Sequence, residues 1–281
     1  MGIRVYKPTS PARRATSVDT FSDITTTTPM RELTMPRKRK GGRNNTGKIT
    51  VRHQGGGAKQ RIRIIDFHRE RYDQPCQVMT IEYDPNRNAR IALVKYADDE
   101  HRYIIAPIDL KVGDTVVASQ QRVDIASGNR MPLKYIPLGI SVFNIELTPG
   151  RGASIVRSAG ATAKLMAIDG GFATLRLPSG EIRLVPESCS ATIGQVSNPD
   201  AMHLRIGKAG RMRHMGVRPT VRGKVMNPVD HPHGGGEGHN PIGLKNPKTY
   251  TGKIAYGVLT RRPGKYSDKF ILRSRKQAKR A

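Results

Sequence analysis

The sequence predicts a mainly β protein in which two small antiparallel barrels lie between two long, irregular and basic extensions. Between residues 61 and 203, apolar and polar residues alternate in short runs, without the period of a helix. Turn-forming Gly, Pro, Asn and Asp separate these runs. Outside this region Gly, Pro, Lys and Arg dominate, which is unfavourable for a packed core.

Positive charge is concentrated at the two ends of the chain. The formal net charge is +27, from 49 Lys and Arg against 22 Asp and Glu. Residues 1–60 carry 13 basic and 3 acidic side chains (net +10), residues 61–203 carry 17 and 16 (net +1), and residues 204–281 carry 19 and 3 (net +16). Because like charges repel each other, the two ends predict a polyanionic partner.

The first barrel is predicted at residues 61–130. Its strand signals are residues 61–65, 78–83, 91–96, 102–105 and 115–117. Tight polar turns such as Asp84-Pro85-Asn86 and Gly113-Asp114 connect them. Short strands joined by short turns favour a small closed antiparallel sheet.

The second barrel is predicted at residues 131–203. Its strand signals are residues 139–145, 163–168, 172–177, 181–185 and 191–196. Together they predict a meander of the size of an SH3-like barrel. Residues 132–137, Pro-Leu-Lys-Tyr-Ile-Pro, read as a connector between the barrels.

The extensions are predicted at residues 1–60 and 204–281. Residues 1–35 are polar and lack material for a core, and a basic, Gly-rich stretch follows them. The C-terminal extension should not fold alone and should become ordered only against a partner that neutralises it. The interleaved Gly and Arg residues suit binding in the grooves of structured RNA. B-form DNA is usually recognised by a helix or a β-ribbon in its major groove, and this tail offers neither.

Candidate RNA contacts follow from this pattern. Basic side chains are the predicted phosphate contacts: Arg37, Lys38, Arg39, Lys40, Arg43, Lys59, Arg157, Lys208, Arg211, Arg213, Arg218, Arg222, Arg273 and Arg275. The remaining candidates are other basic residues, polar residues and glycines that let backbone amides approach phosphate: Asn44, Asn45, Arg52, His53, Gly55, Gly56, Gly57, Ser158, Gly160, His231, His233, Gly234, Gly235, Gly236 and Lys253.

The segment from Asp230 to His239 allows a different hypothesis. Three His and two carboxylates occur there: Asp230, His231, His233, Glu237 and His239. They could bind a metal or act as general acid and base in a hydrolase or transferase. Pro232 and the glycines, however, do not place His231 and His233 on one helix face. We therefore favour packing of this loop against RNA, with the histidines as hydrogen-bond donors.

Neither the cysteines nor the hydropathy point to secretion or membranes. Cys76 and Cys189 lie far apart in strand-like segments and are predicted to be small buried hydrophobes in a reducing cytosol. No signal peptide and no apolar run long enough for a membrane span is present, so no membrane partner is expected.

Long motifs resemble the bacterial form of the ribosomal large-subunit protein two family. The main runs are GVRPTVRG at residues 216–223 and MNPVDHPHGGGEG at residues 226–238. The others, in order, are KPTSP at 7–11, GRNN at 42–45, RH at 52–53 with GGG at 55–57, EYDPNR at 82–87, RSAG at 157–160, GKAG at 207–210 and TGK at 251–253. The resemblance covers nearly the whole chain.

The resemblance implies an oligonucleotide-binding (OB) barrel, an SH3-like barrel and extensions that thread into large-subunit ribosomal RNA. It implies a primary RNA binder in the cytoplasm, on the ribosome, that supports subunit assembly and association, tRNA binding and the peptidyl transferase region. Neighbouring ribosomal proteins and the small subunit are the other implied partners, without a homo-oligomer. No cofactor is expected, and Mg²⁺ only as part of the RNA environment.

By the same resemblance, His231 matches a family histidine discussed in connection with peptide-bond formation. We assign it a supporting role and predict no catalytic residue, because the family's reaction centre is RNA. Two residues depart from the family pattern: His214 stands where many relatives have Trp, and His239 where they commonly have Arg. A DNA-compacting basic protein is a further alternative, although it leaves the near-neutral barrels unexplained.

Overall fold

The computed structural model describes residues 2–236, 239 and 241–278, and it confirms a mainly β fold. The chain forms two compact units. The barrel unit consists of Met1–Lys38, Lys59–Lys208 and Lys269–Ala281. The two-segment unit consists of Arg39–Ala58 and Ala209–Asp268. Each unit therefore combines segments that are distant in sequence, and the compact units do not follow chain order.

The barrel unit begins with a hairpin. Strand β1 (Ile3–Val5) pairs antiparallel with β2 (Ser17–Asp19), and the short helix α1 (Pro11–Arg14) lies in the connection. Strand β3 (Thr34–Pro36) then pairs with β4 (Arg61–Arg63). The intervening residues 39–58 belong to the two-segment unit.

The first barrel contains a four-stranded antiparallel sheet in the order β7-β6-β5-β8. Its strands are β5 (Cys76–Glu82), β6 (Ile91–Lys95), β7 (His101–Ile105) and β8 (Thr115–Val116). Their inward-facing residues form one core cluster that includes Val78, Val94 and Ile104. The alternation in the sequence predicted these strands because one face of each packs against this core.

Residues 17–34 are attached to the first barrel by polar contacts. The buried Arg90 pairs with Asp19 (2.5 Å) and Asp23 (2.9 Å). The Tyr103 hydroxyl accepts a hydrogen bond from Met30 N (2.9 Å) and donates one to Glu82 (2.8 Å). The sequence analysis found too little apolar material in residues 1–35 for a core, and apolar content alone does not reveal these ion-pair and hydrogen-bond anchors.

These anchors alter the ionisation of the carboxylates involved. Burial alone would raise the pKa of Asp23, but the hydrogen bond and charge of Arg90 outweigh it and lower that pKa. The pKa of Asp66 is lowered in the same way. Burial alone would raise it, but the hydrogen bond and charge of Arg102, whose Nη1 lies 2.8 Å from Asp66 Oδ2, outweigh that effect. Both carboxylates are therefore held in the charged form that the ion pairs require.

The second barrel is a seven-stranded antiparallel sheet in the order β17-β15-β14-β13-β10-β16-β9. Its strands are β9 (Arg130–Pro132), β10 (Ser141–Phe143), β13 (Ala163–Asp169), β14 (Phe172–Arg176), β15 (Ile182–Pro186), β16 (Ser190–Ile193) and, at the C-terminus, β17 (Ile271–Arg273). A separate pair is formed by β11 (Ile145–Glu146) and β12 (Ala153–Ile155). The curled sheet is consistent with the predicted OB and SH3-like barrels.

The predicted connector at residues 132–137 is instead part of the second barrel. Pro132 ends strand β9, a 3-10 turn spans Leu133–Tyr135, and Leu133 and Ile136 are buried in the core cluster of this barrel. The two prolines suggested a connector between the barrels. The apolar residues between them nevertheless pack inward, because the 3-10 turn directs them to the core.

The two barrels share a third core cluster. It combines Tyr103 and Ile105 of the first barrel with Phe143 and Val196 of the second. A backbone hydrogen bond from Ile108 N to Gln195 O (2.9 Å) lies beside it. The near-neutral middle of the chain is therefore one continuous packed body.

The remaining elements are short. Helix α2 (Ala209–His214) belongs to the two-segment unit, and helix α3 (Arg275–Ala278) follows β17. Further 3-10 turns span Pro199–His203, Gly223–Val225 and Tyr266–Phe270. No helix in the described part of the chain has the length and apolar character needed to span a membrane.

Both cysteines are buried and free, as predicted. Burial raises the pKa of the Cys76 thiol, and it raises the pKa of Cys189 to about 12. Each thiol therefore stays protonated near neutral pH and contributes as a small apolar group.

Candidate nucleic-acid interface

Backbone hydrogen bonds join the two segments of the two-segment unit. Gly55 N donates to Gly216 O, Ala58 N donates to His214 O, and Arg218 N donates to His53 O, each at 2.9 Å. An antiparallel bridge between Gln54 and Val217 lies within this run. We call this run of contacts the seam. It brings together two extensions that are far apart in the sequence.

Glycine is required at one point of the seam. Gly57 has φ +89°, and a Cβ placed there would lie 2.8 Å from both Gly216 N and His214 O. The Arg39 guanidinium packs at the same position and donates hydrogen bonds to Gly56 O and, at 2.7 Å, to Ala58 O. The triple glycine thus permits close packing of two protein segments, a role that the sequence analysis did not foresee.

This unit has almost no buried interior. Among its described residues only Gly216 is buried, and all three core clusters of the described chain lie in the barrel unit. Apolar side chains such as Val229 (90% exposed), Tyr256 (77%) and Leu259 (75%) face solvent. Hydrophobic burial therefore contributes little to the stability of this unit. Its stability depends instead on hydrogen bonds and on the ligand that binds its surface.

The charge of the two-segment unit is largely uncompensated. Its sequence holds 16 Lys and Arg against 3 Asp and Glu, a net charge of +13. Within its described residues, one ion pair is formed, between Arg261 and Asp268. In the barrel unit, by contrast, carboxylates neutralise many of the arginines. A surface with many cations and few carboxylates is the electrostatic footprint of a nucleic-acid-binding protein.

Most of the sequence-predicted contacts come together in this unit. They are Arg39, Lys40, Arg43, Asn44, Asn45, Arg52, His53, Gly55, Gly56, Gly57, Arg211, Arg213, Arg218, Arg222, His231, His233, Gly234, Gly235, Gly236 and Lys253. The others lie in the barrel unit: Arg37, Lys38, Lys59, Arg157, Ser158, Gly160, Lys208, Arg273 and Arg275.

Several of these residues also have structural roles. Asn44 accepts hydrogen bonds from Thr46 N (3.1 Å) and Lys48 N (2.9 Å), which fixes a turn. A Cβ at Gly160 would lie 2.7 Å from Pro199 Cα. Arg273 is a residue of β17, so part of the predicted threading extension returns to the second barrel. Contact between the tilted rings of Phe270 and Phe172, whose centroids lie 6.1 Å apart, supports that return.

Arg157 is partly withdrawn from solvent. Its guanidinium lies 4.7 Å from the Phe67 ring and donates to Ala153 O at 3.2 Å. Burial, together with the nearby charge of Arg87, lowers the pKa of Arg157. A cation that is held by a ring and a carbonyl, without a carboxylate, keeps its charge free for an anionic ligand.

The C-terminal segment contains a helix, contrary to the expectation of none. Helix α2 is less than two turns long and carries Arg211, Arg213 and His214. Ala, Met and Arg favour helix locally, although flanking glycines limit its length. His214 joins the seam through its carbonyl rather than through its exposed ring. This role could not be predicted from the sequence, because a backbone contact has no side-chain signature.

The histidines of residues 231–233 are tied into the loop backbone. His231 Nδ1 accepts a hydrogen bond from His233 N (3.0 Å), and His233 Nε2 accepts one from Lys248 N (2.8 Å). The ring centroids are 4.7 Å apart. A ring nitrogen that accepts a hydrogen bond carries no proton, so each neutral ring offers its other nitrogen as a donor. This arrangement suits the predicted donation to RNA.

The alternative metal or catalytic cluster is only partly described. Glu237 lies outside the described residues, and His239 is exposed. No group of three or more potential metal-binding His, Cys, Asp or Glu residues occurs in the part of the chain that the structure covers.

Two amide substitutions of His231 should have different effects on this loop. Asn places an oxygen near the position of Nδ1, whereas Gln reaches the position of Nε2 and loses the acceptor for His233 N. We expect His231→Asn to keep the His233 amide protected from hydrogen exchange in the RNA complex, and His231→Gln to expose it. Mass spectrometry of peptides covering residues 231–235 measures this. Equal exchange in the two variants would refute the structural role of Nδ1.

Two family models match the chain. Residues 30–118 match the model described as "Ribosomal Proteins L2, RNA binding N-terminal domain". Residues 126–252 match the model described as "Ribosomal Proteins L2, C-terminal domain". Together these ranges cover well over half of the chain and include the first barrel, the second barrel except β17, and most of the two-segment unit.

Proposed function

Because the chain belongs to the ribosomal protein L2 family, and is thus a ribosomal protein that binds RNA, we propose that it is a primary ribosomal RNA binder supporting large-subunit assembly. The proposal extends to association with the small subunit, to tRNA binding and to the architecture of the peptidyl transferase region. The observation that supports it best is the two-segment unit, which has a net charge of +13 and almost no buried interior.

A unit of this kind gains its stability from the partner. Each phosphate that pairs with Lys or Arg releases a condensed counterion, and this release favours the bound state. Structured RNA offers phosphates on both sides of a groove, and a thin, Gly-rich pair of segments can enter such a groove.

We propose that the protein works without turnover. The arrangement of His231 and His233 supports this role, because both rings hold the loop through backbone hydrogen bonds. The alternative hydrolase or transferase would use Asp230, His231, His233, Glu237 and His239 and would show turnover without RNA. Mg²⁺ is proposed only as part of the RNA environment, and no cofactor is assigned to the chain itself.

We also propose partners, an oligomeric state, a cellular location and functional divisions for the chain. We propose neighbouring ribosomal proteins and the small subunit as further partners, no homo-oligomer, and a location on the cytoplasmic ribosome. The proposed functional divisions remain residues 1–60, 61–130, 131–203 and 204–281.

Binding to large-subunit ribosomal RNA should depend steeply on salt. If roughly ten cations neutralise phosphates, the slope of log affinity against log salt concentration should be about −7 to −9. Fluorescence-monitored titration of the full chain against large-subunit ribosomal RNA, between about 50 and 200 mM KCl, measures this slope.

Duplex DNA of equal length serves as the comparison in the same titration. The proposed function predicts clearly tighter binding to the ribosomal RNA at every salt concentration, because shape is recognised in addition to charge. A nearly flat salt response would contradict the electrostatic mechanism. Equal affinity for both nucleic acids would favour the DNA-compacting alternative.

A further inference from the structure

The segment of residues 209–268 is joined to the barrel unit at both of its ends. The chain leaves the barrel unit after Lys208 and returns to it at Lys269. The segment is therefore a long loop with two attached ends rather than a tail with one free end. This connectivity is not visible in the sequence, because residues 204–281 have one basic composition throughout.

The first end of this loop packs against strand β2 and the residue before it. Arg205 N donates a hydrogen bond to Ser17 Oγ (2.8 Å), and Ser17 N donates one to Arg205 O (3.0 Å). Gly207 has φ +76°, and a Cβ at this position would lie 2.9 Å from Thr16 Cα. Backbone contacts this close leave little freedom to the chain just before the loop begins.

The second end is attached to the second barrel by residues 270–273, which we call the clasp. Within the clasp, β17 pairs antiparallel with β15. Arg273 lies opposite Ile182, and Ile271 lies opposite Arg183. Because β17 is the last strand in the sheet order, this pairing closes the loop at an edge of the seven-stranded sheet.

One aromatic contact adds to this short pairing. The ring centroids of Phe270 and Phe172 lie 6.1 Å apart, and both side chains are half-buried. Leu272, between the two paired residues of β17, is 59% exposed. An edge element with so few buried contacts opens more easily than the core of the barrel. The clasp can therefore exist in a closed and an open state while the barrel stays folded.

Closure of the loop changes what binding to a ligand costs. A chain segment that is attached at both ends has fewer conformations than the same segment attached at one end. It therefore loses less conformational entropy when a ligand orders it. The two-segment unit has almost no buried interior, so hydrophobic packing supplies little of this restriction.

We propose that the clasp is a conformational device that sets the affinity of the chain for large-subunit ribosomal RNA. When closed, it preorganises residues 209–268, and when open, it leaves them as a tail that binds more weakly. Phe270 is then a positioning residue that acts through the loop, without a contact of its own with RNA. The apparent affinity is the affinity of the closed form multiplied by the closed fraction. This inference rests on the proposed function, because the ligand is taken to be ribosomal RNA.

Removing the aromatic contact should weaken binding without changing its salt dependence. Phe270→Ala and Phe172→Ala remove this contact from opposite sides. If the closed fraction falls to about a tenth, each variant of the full chain loses about tenfold in affinity. The salt slope should stay that of the parent, because no phosphate contact is lost. Leu272→Thr is the matched control, because it changes an exposed position of β17 and keeps a residue that favours strands.

A reversible cross-link separates closure of the loop from direct contact with RNA. Arg183→Cys with Ile271→Cys, introduced into the Phe270→Ala chain, places two thiols on directly opposite residues, a spacing that a disulfide can bridge. Neither position is a predicted RNA contact, and the native Cys76 and Cys189 are buried. Oxidation should restore most of the affinity, and reduction of the same sample should lower it again by on the order of tenfold.

Mass spectrometry of unreduced peptides verifies the cross-link, and circular dichroism checks that each variant keeps the fold. If no cross-link forms, β15 and β17 are not paired in the free chain and the inference is wrong. Equal affinity of the oxidised and reduced forms, or an equal loss in Leu272→Thr and Phe270→Ala, would also overturn it while the proposed function stands. If the parent chain shows no preference for ribosomal RNA over duplex DNA, the proposed function itself fails.

Discussion

Replacing Gly57 by alanine should weaken binding to large-subunit ribosomal RNA by about 100-fold. The new methyl group would lie 2.8 Å from Gly216 N and from His214 O, and both are backbone atoms that cannot move aside independently. Opening the seam removes three backbone hydrogen bonds, at about 1 kcal/mol each. About 3 kcal/mol corresponds to roughly a hundredfold change in affinity if the bound state requires the seam.

Gly56→Ala is the matched control for this prediction. Gly56 also has a positive φ, +65°, so alanine meets the same kind of backbone strain there. Nothing lies within 4 Å of its would-be Cβ, however, so the seam can stay closed. We expect a loss of about tenfold or less, equivalent to the strain of roughly 1 kcal/mol.

Filter-binding titrations of both variants at one salt concentration measure the difference. Similar affinities for Gly57→Ala and Gly56→Ala would show that the seam does not support RNA binding. The expected difference would instead show that the N-terminal and C-terminal extensions act as one ligand-binding element, although the two barrels separate them in sequence.

Replacing Glu146 by alanine should destabilise the barrel unit by about 3–5 kcal/mol. Glu146 accepts hydrogen bonds from Arg130 Nη2 (2.8 Å), Gly152 N (3.2 Å) and Ser190 N (3.0 Å), and both charged side chains are buried. Burial lowers the pKa of Arg130 below its ordinary value, and the negative charge of Glu146 opposes this shift. Without Glu146, the buried Arg130 would lose its neutralising charge and keep only the Asn144 carbonyl as acceptor, and the amides of Gly152 and Ser190 would lose this acceptor.

Urea unfolding of the free chain, followed by circular dichroism, measures this loss. A typical domain is stable by only about 5–15 kcal/mol, so the variant should unfold at a much lower urea concentration. Asp98→Ala is the control, because Asp98 pairs with Arg71 at an exposed position where solvent screens the charges. Similar unfolding midpoints for Glu146→Ala and Asp98→Ala would contradict the importance of the buried pair.

The Arg130–Glu146 pair also shows why part of the core was not predictable. Neither residue belongs to an apolar alternation, and the two become neighbours only when β9 and β11 come together. The same holds for Arg90, whose carboxylate partners lie in the N-terminal segment. A buried charge has no local sequence signature, because its burial is acceptable only with a partner that folding supplies.

Return of the C-terminus to the second barrel illustrates a related difficulty. Residues 271–273 look like part of a basic tail, yet they add a strand to the edge of β15. Three residues are too few to show a strand period, and their partner is far away in sequence. The charge of this stretch indicates a basic tail. Its backbone nevertheless pairs with β15 at the edge of the sheet.

By itself, the sequence determined the mainly β fold, the two barrels and the concentration of positive charge at the two ends. These properties follow from local alternation, turn residues and composition, which are readable over short windows. The tertiary structure alone decided that Arg39–Ala58 joins Ala209–Asp268 and that β1 and β2 pair as an N-terminal hairpin. The physical reason is that both depend on backbone contacts and ion pairs between distant residues, which leave no periodic pattern in either partner.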